Sequence, residues 1–241
     1  MSDTLPQGPL AGRIAYVTGS SRGIGAATAK ALAAAGAHVL ISGRTVSDLE
    51  AVEDAIHEAG GTATIAPFDL TEGDAIARFA SAVAERWGRL DILVLNAAML
   101  PALSAVTQID PKEFNRALTL NVLASQTLLA AFDPLLKRSD GARVVGVTSS
   151  VGAAPRAYWG AYGASKAAFE VLLECYGQEV EKISATRVAI LDPGATRTRM
   201  RARAYPGEDA QSVKPPEAVA ARIVALLGGS FPTGHRERVE G

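Results

Sequence analysis

The stretch Thr18-Gly19-Ser20-Ser21-Arg22-Gly23-Ile24-Gly25 lies between an apolar run at residues 14–17 and an alanine-rich helical pattern at residues 26–35. A strand, a glycine-rich turn and a helix in this order can bind phosphate. Glycines permit a tight turn and close approach of the backbone to a pyrophosphate, and the new helix directs free N–H groups and its positive dipole end at the anion. The spacing differs from the G-x-G-x-x-G of the commonest dinucleotide fingerprint. An ordinary glycine-rich turn is therefore the alternative until the rest of the chain is considered.

Size and composition favour one α/β domain. The chain has 241 residues, of which 48% are hydrophobic, and a net charge of −1. This charge gives no electrostatic basis for a nucleic-acid or anionic-membrane partner, and no apolar run reaches the roughly 18 residues of a membrane span. The single cysteine, Cys175, excludes an internal disulfide and is typical of a cytoplasmic protein. The scattered histidines have no metal-ligand spacing, so we expect no metal site.

Apolar runs typical of buried parallel strands alternate with helical patterns. The predicted strands lie at residues 13–18, 38–42, 62–68, 92–95, 143–148, 186–191 and 234–239, and the predicted helices at 23–35, 46–59, 72–87, 111–137, 157–182 and 216–227. This alternation predicts an α/β fold of the Rossmann type, a doubly wound parallel sheet of about seven strands with helices on both faces. We expect one domain over residues 11–241 after a flexible tail of residues 1–10.

Ligands of such a sheet bind beyond the carboxyl ends of the strands. Candidate binding residues follow six of the predicted strands: Gly19, Gly43–Arg44, Asp69, Asn96, Ser149 and Pro193–Gly194. All of them therefore fall on one edge of the sheet.

Tyr162 and Lys166 lie four residues apart in a predicted helix, in Tyr-Gly-Ala-Ser-Lys, and share one helical face. A free tyrosine has a pKa of about 10 and is a poor acid–base group at neutral pH. A nearby ammonium favours the phenolate and lowers that pKa. The pair is a candidate acid–base site, although a chance Y-x-x-x-K is the alternative for the pair taken alone.

Together these motifs resemble the short-chain dehydrogenase/reductase family, in its single-domain subtype, from Gly12 onward. The stretch from Thr18 to Gly25 resembles the family's cofactor motif, and Tyr162-x-x-x-Lys166 its catalytic motif. Ser149, thirteen residues before the tyrosine, and Asn121, in Leu-Asn-Val, stand at the positions of the family's catalytic serine and asparagine.

The resemblance implies four catalytic roles. Tyr162 acts as general acid in reduction and as base in oxidation. Lys166 binds the nicotinamide ribose and lowers the tyrosine pKa. Ser149 hydrogen-bonds the substrate oxygen and stabilises its developing charge, and Asn121 anchors a water that connects Lys166 to solvent. The cofactor supplies the hydride.

The resemblance also implies a set of cofactor-binding residues along the sheet edge. They are Gly19, Ser21, Arg22, Gly23, Ile24, Gly25, Arg44, Thr45, Asp69, Leu70, Asn96, Ala97, Tyr162, Lys166, Pro193, Gly194, Thr196 and Thr198. One segment departs from the family: Leu95-Asn96-Ala97-Ala98 replaces the usual Asn-Asn-Ala-Gly. We expect this departure to change local geometry more than activity.

The residues after the second strand indicate which nicotinamide cofactor binds. Enzymes that use NAD(H) place a carboxylate there, which accepts hydrogen bonds from the 2′-hydroxyl. Here Gly43 occupies that position, Arg44 and Thr45 follow, and Arg22 lies in the glycine loop. Two guanidinium groups suit a dianionic 2′-phosphate, so the sequence predicts NADP(H). The alternative is that Arg44 stacks on adenine and Arg22 is solvated.

The substrate side is predicted to be mostly apolar, formed by Met99, Leu100, Leu103, Val151, Trp159 and Tyr205. For Trp159 and Tyr205, packing in the core or an interface is the alternative. Arginine recurs at every second position from Arg197 to Arg203. A solvated helical face is the simpler interpretation, and attraction of a substrate on a phosphate-bearing carrier is the sharper hypothesis.

The expected activity is hydride transfer between NADP(H) and a carbonyl or secondary alcohol, similar to that of 3-oxoacyl-[acyl-carrier-protein] reductases, with an acyl thioester as one possible substrate. The alternatives are a dehydrogenase of a steroid, sugar or other secondary alcohol, and a nucleotide-binding regulator without turnover. By the resemblance, a homodimer or homotetramer forms through the helices near residues 117–137 and 169–182. We expect Cys175 to be a small buried or interface hydrophobe.

Overall fold

Seven parallel strands form one sheet in the order β3-β2-β1-β4-β5-β6-β7 in the computed structural model, which describes residues 8–240. The strands are β1 (Ile14–Val17), β2 (His38–Gly43), β3 (Thr62–Pro67), β4 (Ile92–Leu95), β5 (Arg143–Val147), β6 (Arg187–Asp192) and β7 (His235–Arg238). The predicted doubly wound sheet is confirmed. Each predicted strand is found with ends that differ by at most one residue.

Helices connect the strands and cover both faces of the sheet. They are α1 (Gly23–Ala34), α2 (Val46–Glu58), α3 (Gly73–Trp87), α4 (Pro111–Leu118), α5 (Ala124–Leu136), α6 (Ser150–Ala153), α7 (Gly160–Glu181), α8 (Arg199–Ala204) and α9 (Pro216–Gly228). The short helices α6 and α8 were not among the predicted elements. No helix within residues 8–240 has both the length and the apolar content needed to cross a membrane.

Two predicted helices differ from the observed ones. The predicted helix over 111–137 is found and ends at Leu136, but a π-helical turn at Thr119–Leu123 lies between α4 and α5. Such turns often lie at functional sites, and this one contains Asn121. The helix predicted from residue 157 begins at Gly160, because Tyr158 has a φ of 70° and cannot continue an α-helix.

Alternate residues of the central strands face two separate apolar layers. Ala15 and Val17 pack with α1, α2 and α9, whereas Ile14 and Tyr16 pack with α3, α5 and α7. The ring of Tyr16 lies 5.1 Å from that of Phe79, centroid to centroid. Both faces are therefore buried, which is why the strands read as continuous apolar runs.

The N-terminal boundary of the packed domain lies before residue 11. Leu10 is buried in the core, and its N–H donates to the carbonyl of Ala35 at 2.9 Å. The end of the segment predicted as a tail of residues 1–10 is thus held by the domain. Residues 1–7 of that tail lie outside the described residues.

The side of β5 that faces α7 has a glycine at the point of closest approach. A Cβ added to Gly146 would lie 2.1 Å from Leu173 Cδ1 and 2.9 Å from Phe169 Cζ, both on α7. Glycine at this position therefore sets the distance between β5 and α7, which carries Tyr162 and Lys166.

We expect Gly146→Ala to lower the free energy of unfolding by about 1–3 kcal/mol, because Leu173 and Phe169 must move to accept the methyl group. Urea denaturation measures this change. The matched control is Gly141→Ala, whose added Cβ would have Arg143 Nη1 as its nearest neighbour, at 3.6 Å. Equal denaturation midpoints for the two variants would contradict the prediction.

Candidate active site

A cavity of about 1100 Å³ opens at the carboxyl edge of the sheet. Most of the predicted site residues lie on its wall: Gly19, Ser21, Arg22, Gly23, Ile24, Arg44, Asp69, Leu70, Asn96, Ala97, Ser149, Tyr162, Lys166, Pro193, Gly194, Thr196 and Thr198. The structure thus brings together residues that are separated by as many as 179 positions, from Gly19 to Thr198. The remaining three, Gly25, Thr45 and Asn121, are not on this wall.

The glycine loop has a shape that side chains would obstruct. Gly19 has a φ of 62°, and a Cβ there would lie 2.9 Å from Ala97 Cα. A Cβ on Gly25 would lie 2.3 Å from the carbonyl oxygen of Gly19. The absence of a side chain at Gly25 therefore allows the backbone of the turn to pack against it, although Gly25 does not line the cavity.

The N-terminus of α1 faces this loop. Arg22, the residue that precedes α1, makes no capping hydrogen bond with its side chain, and the first turn contains no acidic residue. The free N–H groups and the helix dipole at this end favour an anion. The loop therefore suits a pyrophosphate, as the sequence predicts.

Thr18 joins β1 to the segment after β4. Its Oγ1 accepts from the N–H groups of Asn96, at 2.9 Å, and Ala97, at 3.0 Å, and donates to the carbonyl of Val94 at 3.3 Å. The amide of Asn96 in turn donates to the carbonyls of Thr18, at 2.9 Å, and Gly19, at 3.2 Å. These bonds hold Asn96 and Ala97 beside the glycine loop.

The structure explains the departure from the family pattern at Leu95, and it places Ala98 at the cavity. Leu95 is buried in the apolar layer beneath β4, where an alkyl side chain packs without an unsatisfied polar group. Ala98 lies on the cavity wall. The change at residue 95 thus exchanges a polar brace for apolar packing.

Tyr162 and Lys166 are both buried on the face of α7 that meets the end of β5. Lys166 Nζ donates to the carbonyl of Val147 at 2.9 Å and lies 5.9 Å from the centroid of the Tyr162 ring. The hydroxyl of Tyr162 points to the sulfur of Met200, on α8, at 3.8 Å. The phenol and the amine therefore share one side of the cavity.

Burial shifts these two groups in opposite directions. It raises the pKa of Tyr162, and the charge of Asp192 raises it further. Burial also lowers the pKa of Lys166 to about 8, against the opposing effect of the Glu170 carboxylate. Burial thus acts against the predicted lowering of the Tyr162 pKa by Lys166, and it favours a protonated phenol at neutral pH.

Ser149 ends the segment after β5. Its backbone is extended, with φ −159° and ψ 147°, and it precedes the first turn of α6. This places the residue on the wall that Tyr162 also lines. Both predicted hydrogen-bonding groups therefore border the same space.

Asn121 lies in the π-helical turn, and its side chain joins the loop after β4 to α7. Its Oδ1 accepts from the N–H of Met99 at 2.8 Å, and its Nδ2 donates to the carbonyl of Met99 and to Ser165 Oγ, at 3.0 and 2.9 Å. The side-chain amide is thus occupied by the loop after β4 and by α7. The water-anchoring role of Asn121 stays a prediction. Because these contacts occupy its side-chain amide, the backbone of Asn121 is the group left to bind such a water.

The predicted 2′-phosphate site contains Arg22 and Arg44 on the cavity wall. Arg44 Nη1 lies 3.9 Å from Asp69 Oδ2, and the Arg44 side chain is 71% exposed. A Cβ on Gly43 would lie 3.3 Å from Leu49 Cδ2. Gly43 also lines the cavity and places no carboxylate beside Arg44. Thr45, exposed before α2, does not contact the cavity.

The predicted substrate side is apolar and aromatic. Of the six residues predicted there, Met99, Leu100, Val151, Trp159 and Tyr205 line the cavity, whereas Leu103 does not. Leu100, Val151 and Tyr162 form a buried cluster against which Leu103, Trp159, Met200 and Ala204 pack. The ring of Trp159 lies 6.0 Å from that of Tyr162 and 5.8 Å from that of Tyr205. Trp159 and Tyr205 both line the cavity, and Trp159 also packs against the buried cluster.

Some of the arginines in α8 and in the segment just before it are bound to neighbouring side chains. Arg201 donates to Glu208 at 2.7 and 2.5 Å and covers the ring of Tyr205 at 3.8 Å. Arg197 donates to Gln211 at 3.1 Å. Arg203 is exposed and does not line the cavity. These arginine side chains therefore do not all extend freely into solvent.

Several cavity residues were not predicted. Met200, Arg156, Asp192 and Arg238 line the cavity, and Arg156 donates to the hydroxyl of Tyr205 at 3.0 Å. Asp192 and Arg238 end neighbouring strands, so the rule that ligands bind at strand ends could have identified them. Met200 and Arg156 carry no comparable sequence signal.

A sequence profile of the short chain dehydrogenase family matches residues 13–209. The chain therefore belongs to the short-chain dehydrogenase/reductase family of oxidoreductases. It is 35% identical over 219 residues to the uncharacterized oxidoreductase YciK of Escherichia coli K12, covering 90% of this chain and 86% of that protein.

Two further relatives carry more specific descriptions. The rhamnolipids biosynthesis 3-oxoacyl-[acyl-carrier-protein] reductase of Pseudomonas aeruginosa is 34% identical over 261 residues, covering 98% of each chain. A short chain dehydrogenase from Shigella flexneri, crystallised with NADP, superimposes with a TM-score of 0.93 at 34% identity, covering 98% of this chain and 100% of that chain.

We expect Thr18→Val to weaken binding of NADPH by about tenfold or more, because two partly buried N–H groups, those of Asn96 and Ala97, lose their acceptor. Fluorescence titration with NADPH measures the dissociation constant. Thr18→Ser, which keeps the hydroxyl, is the matched control and should bind as the parent chain does. Equal binding by Thr18→Val and Thr18→Ser would show that these bonds do not shape the site.

Proposed function

We propose that the chain is an NADP(H)-dependent reductase or dehydrogenase that acts on a carbonyl or secondary-alcohol group. The observation that carries the proposal is the placement of Tyr162, Lys166 and Ser149 on the wall of the cavity that also contains the glycine loop. A nucleotide-binding module without turnover does not require a phenol, an amine and a hydroxyl beside one another there.

The residues present fit a nicotinamide dinucleotide. A Cβ on Gly19 or Gly25 would fill the loop, and α1 offers an N-terminus without a side-chain cap. When bound, NADP(H) supplies or accepts the hydride. Arg22 and Arg44 would bind the 2′-phosphate of the adenosine ribose, and Pro193 and Gly194 would border the nicotinamide.

Each catalytic side chain then has a separate task. The raised pKa of Tyr162 keeps its proton in place until a substrate oxygen that gains charge can take it. The Lys166 ammonium stabilises the phenolate that results, and Ser149 donates a hydrogen bond to the same substrate oxygen. In the oxidative direction the phenolate form of Tyr162, stabilised by the Lys166 ammonium, accepts the proton of the substrate hydroxyl.

We infer NADP(H) rather than NAD(H) from Gly43, Arg44 and Arg22. Residue 43 carries no carboxylate that would repel a 2′-phosphate, and two guanidinium groups border that end of the cavity. The relative from Shigella flexneri was crystallised with NADP. Together these observations support the phosphorylated coenzyme.

For the substrate we propose a carbonyl on an apolar body, such as a 3-oxoacyl thioester. The wall beside Tyr162 consists of Leu100, Val151 and Trp159, and the Pseudomonas aeruginosa relative is described as a 3-oxoacyl reductase. Within α8 and its flanks, Arg197 and Arg199 offer cationic groups at the cavity for a phosphate-bearing carrier. Arg201, held by Glu208, is less suited to this role.

We also propose a cytoplasmic homodimer or homotetramer that buries the outer faces of the helices around α5 and α7. Leu123 and Val171, at 58% and 57% exposure, are large apolar side chains on this surface. Cys175 is exposed, so the prediction that it is buried within the chain is wrong. Its place on the outer side of α7 supports the interface alternative.

We expect Arg44→Ala to raise the dissociation constant for NADPH by about 10- to 100-fold, because a charge-assisted contact to the 2′-phosphate is lost, and to leave that for NADH nearly unchanged. Arg78→Ala, which removes an exposed arginine of α3 outside the cavity, is the control. Tighter binding of NADH than of NADPH by the parent chain would overturn the coenzyme assignment.

We expect Tyr162→Phe to lower kcat by about 10²- to 10⁴-fold with binding of NADPH retained, because the variant loses the proton donor but keeps the ring. NADPH consumption over a panel of ketones and 3-oxoacyl thioesters measures the effect. Tyr176→Phe on the same helix, which loses a bond to Asp133 outside the cavity, is the control. Equal turnover by the two variants would exclude Tyr162 as the acid.

A further inference from the structure

A buried carboxylate, Glu170, lies one helical turn beyond Lys166 on α7. Its side chain is 7% exposed. Its Oε1 accepts a short hydrogen bond from Thr148 Oγ1, and its Oε2 accepts from Arg236 Nη1, on β7, at 2.7 Å. A carboxylate this deeply buried is costly unless it is paired and hydrogen-bonded, and both requirements are met here.

The contact to Thr148 connects Glu170 to the end of β5, between the residue that binds Lys166 and the residue that lines the cavity. Val147, the preceding residue, accepts from Lys166 Nζ, and Ser149, the following residue, lines the cavity. Glu170 therefore fixes the end of β5 between its two functional contacts. A Cβ on Gly152 would lie 2.7 Å from Glu170 Oε1, so α6 can pass over the carboxylate because residue 152 is glycine.

Arg236 holds Glu170 from the other side. Its guanidinium also binds Glu174, one turn further along α7, with Nη2 2.6 Å from Glu174 Oε1. Glu174 is 41% exposed, whereas Glu170 is almost completely buried. The two carboxylates thus share one cation but differ in their access to solvent and in their distance along the helix from Lys166.

We propose that Glu170 is a positioning residue for the reaction proposed above: it holds the end of β5 in place and supplies the negative charge that keeps Lys166 an ammonium. Arg236 fixes the position of that charge. The consequence for catalysis rests on the proposed function, whereas the effect on the charge of Lys166 exists in the free protein and can be measured without turnover.

The charges on the neighbouring elements leave Glu170 as the dominant anion for Lys166. Asp192 at the end of β6 and Arg238 on β7 line the same cavity, and their side chains lie 3.8 Å apart. Tyr162, on α7, stays neutral at pH 7 because burial raises its pKa. Burial lowers the pKa of Lys166, and Glu170 is the group that opposes this shift.

The test is a titration of Lys166 in the free protein by NMR, with ¹³C-labelled lysine and Lys166→Arg to assign its signal. We expect Glu170→Gln to lower the pKa of Lys166 by about one unit, because an anion that favoured the ammonium is removed. Glu174→Gln, which loses a contact to the same arginine on the same helix, should leave the titration unchanged. In both variants the folded state is checked by thermal unfolding.

A second variant gives a shift of opposite sign. Arg236→Gln removes the cation that is paired with Glu170 and leaves the Glu170 carboxylate less screened, so the pKa of Lys166 should rise. This variant also serves if Glu170→Gln does not fold, because Arg236 is 42% exposed. A Lys166 titration that moves in neither variant, or equally in Glu174→Gln, overturns the proposal and leaves Glu170 with a structural role.

Kinetics then separate this proposal from the proposed function. In an active enzyme the alkaline limb of kcat/KM should move with the Lys166 titration, to lower pH in Glu170→Gln and to higher pH in Arg236→Gln. A shifted titration without turnover of any carbonyl by the parent chain would reject the proposed reaction and leave the electrostatic role of Glu170 intact.

Discussion

The packing of α7 against the end of β5 is the constraint on which the rest of the site depends. Gly146 allows the helix to approach, and the Lys166 ammonium then reaches the carbonyl of Val147. A lysine in this position is removed from water, and its amine must be hydrogen-bonded by the strand itself. The same contact therefore orders the helix, the strand end and the amine.

A second connection joins the coenzyme side to this helix. Thr18 fixes Asn96 and Ala97 beside the glycine loop, and three residues after Asn96 the chain reaches Met99, which is bonded to Asn121. Asn121 donates in turn to Ser165, next to Lys166. The dinucleotide side and the catalytic side are thus linked by hydrogen bonds between side chains and backbone rather than by the sheet alone.

Much of this arrangement could be predicted from the sequence because parallel strands buried on both faces are continuous apolar runs, and the residues after them meet at one edge. The family resemblance supplied Asn121, which no local pattern distinguishes, and the catalytic role of Ser149, whose place after a strand was already apparent. The π-helical turn was missed because no local pattern indicates it, and the contacts that Asn121 makes from it, to Met99 and Ser165, are tertiary. Glu170 was missed although its spacing from Lys166 places it on the buried face of α7, because a glutamate alone gives no sign of the arginine that β7 brings to it.

The opposite pKa shifts of Tyr162 and Lys166 follow from one physical cause. Burial disfavours the charged form of both groups, so it holds the proton on the phenol and releases it from the ammonium. A phenol that gives up its proton to substrate needs a cation beside it, and the same burial removes that cation as the pH rises. A buried anion at Glu170, paired with Arg236 from a distant strand, opposes the loss of the ammonium without adding charge to the phenol's side of the cavity. The last strand of the sheet thereby contributes to the electrostatics around Lys166 through Arg236, in addition to lining the cavity with Arg238.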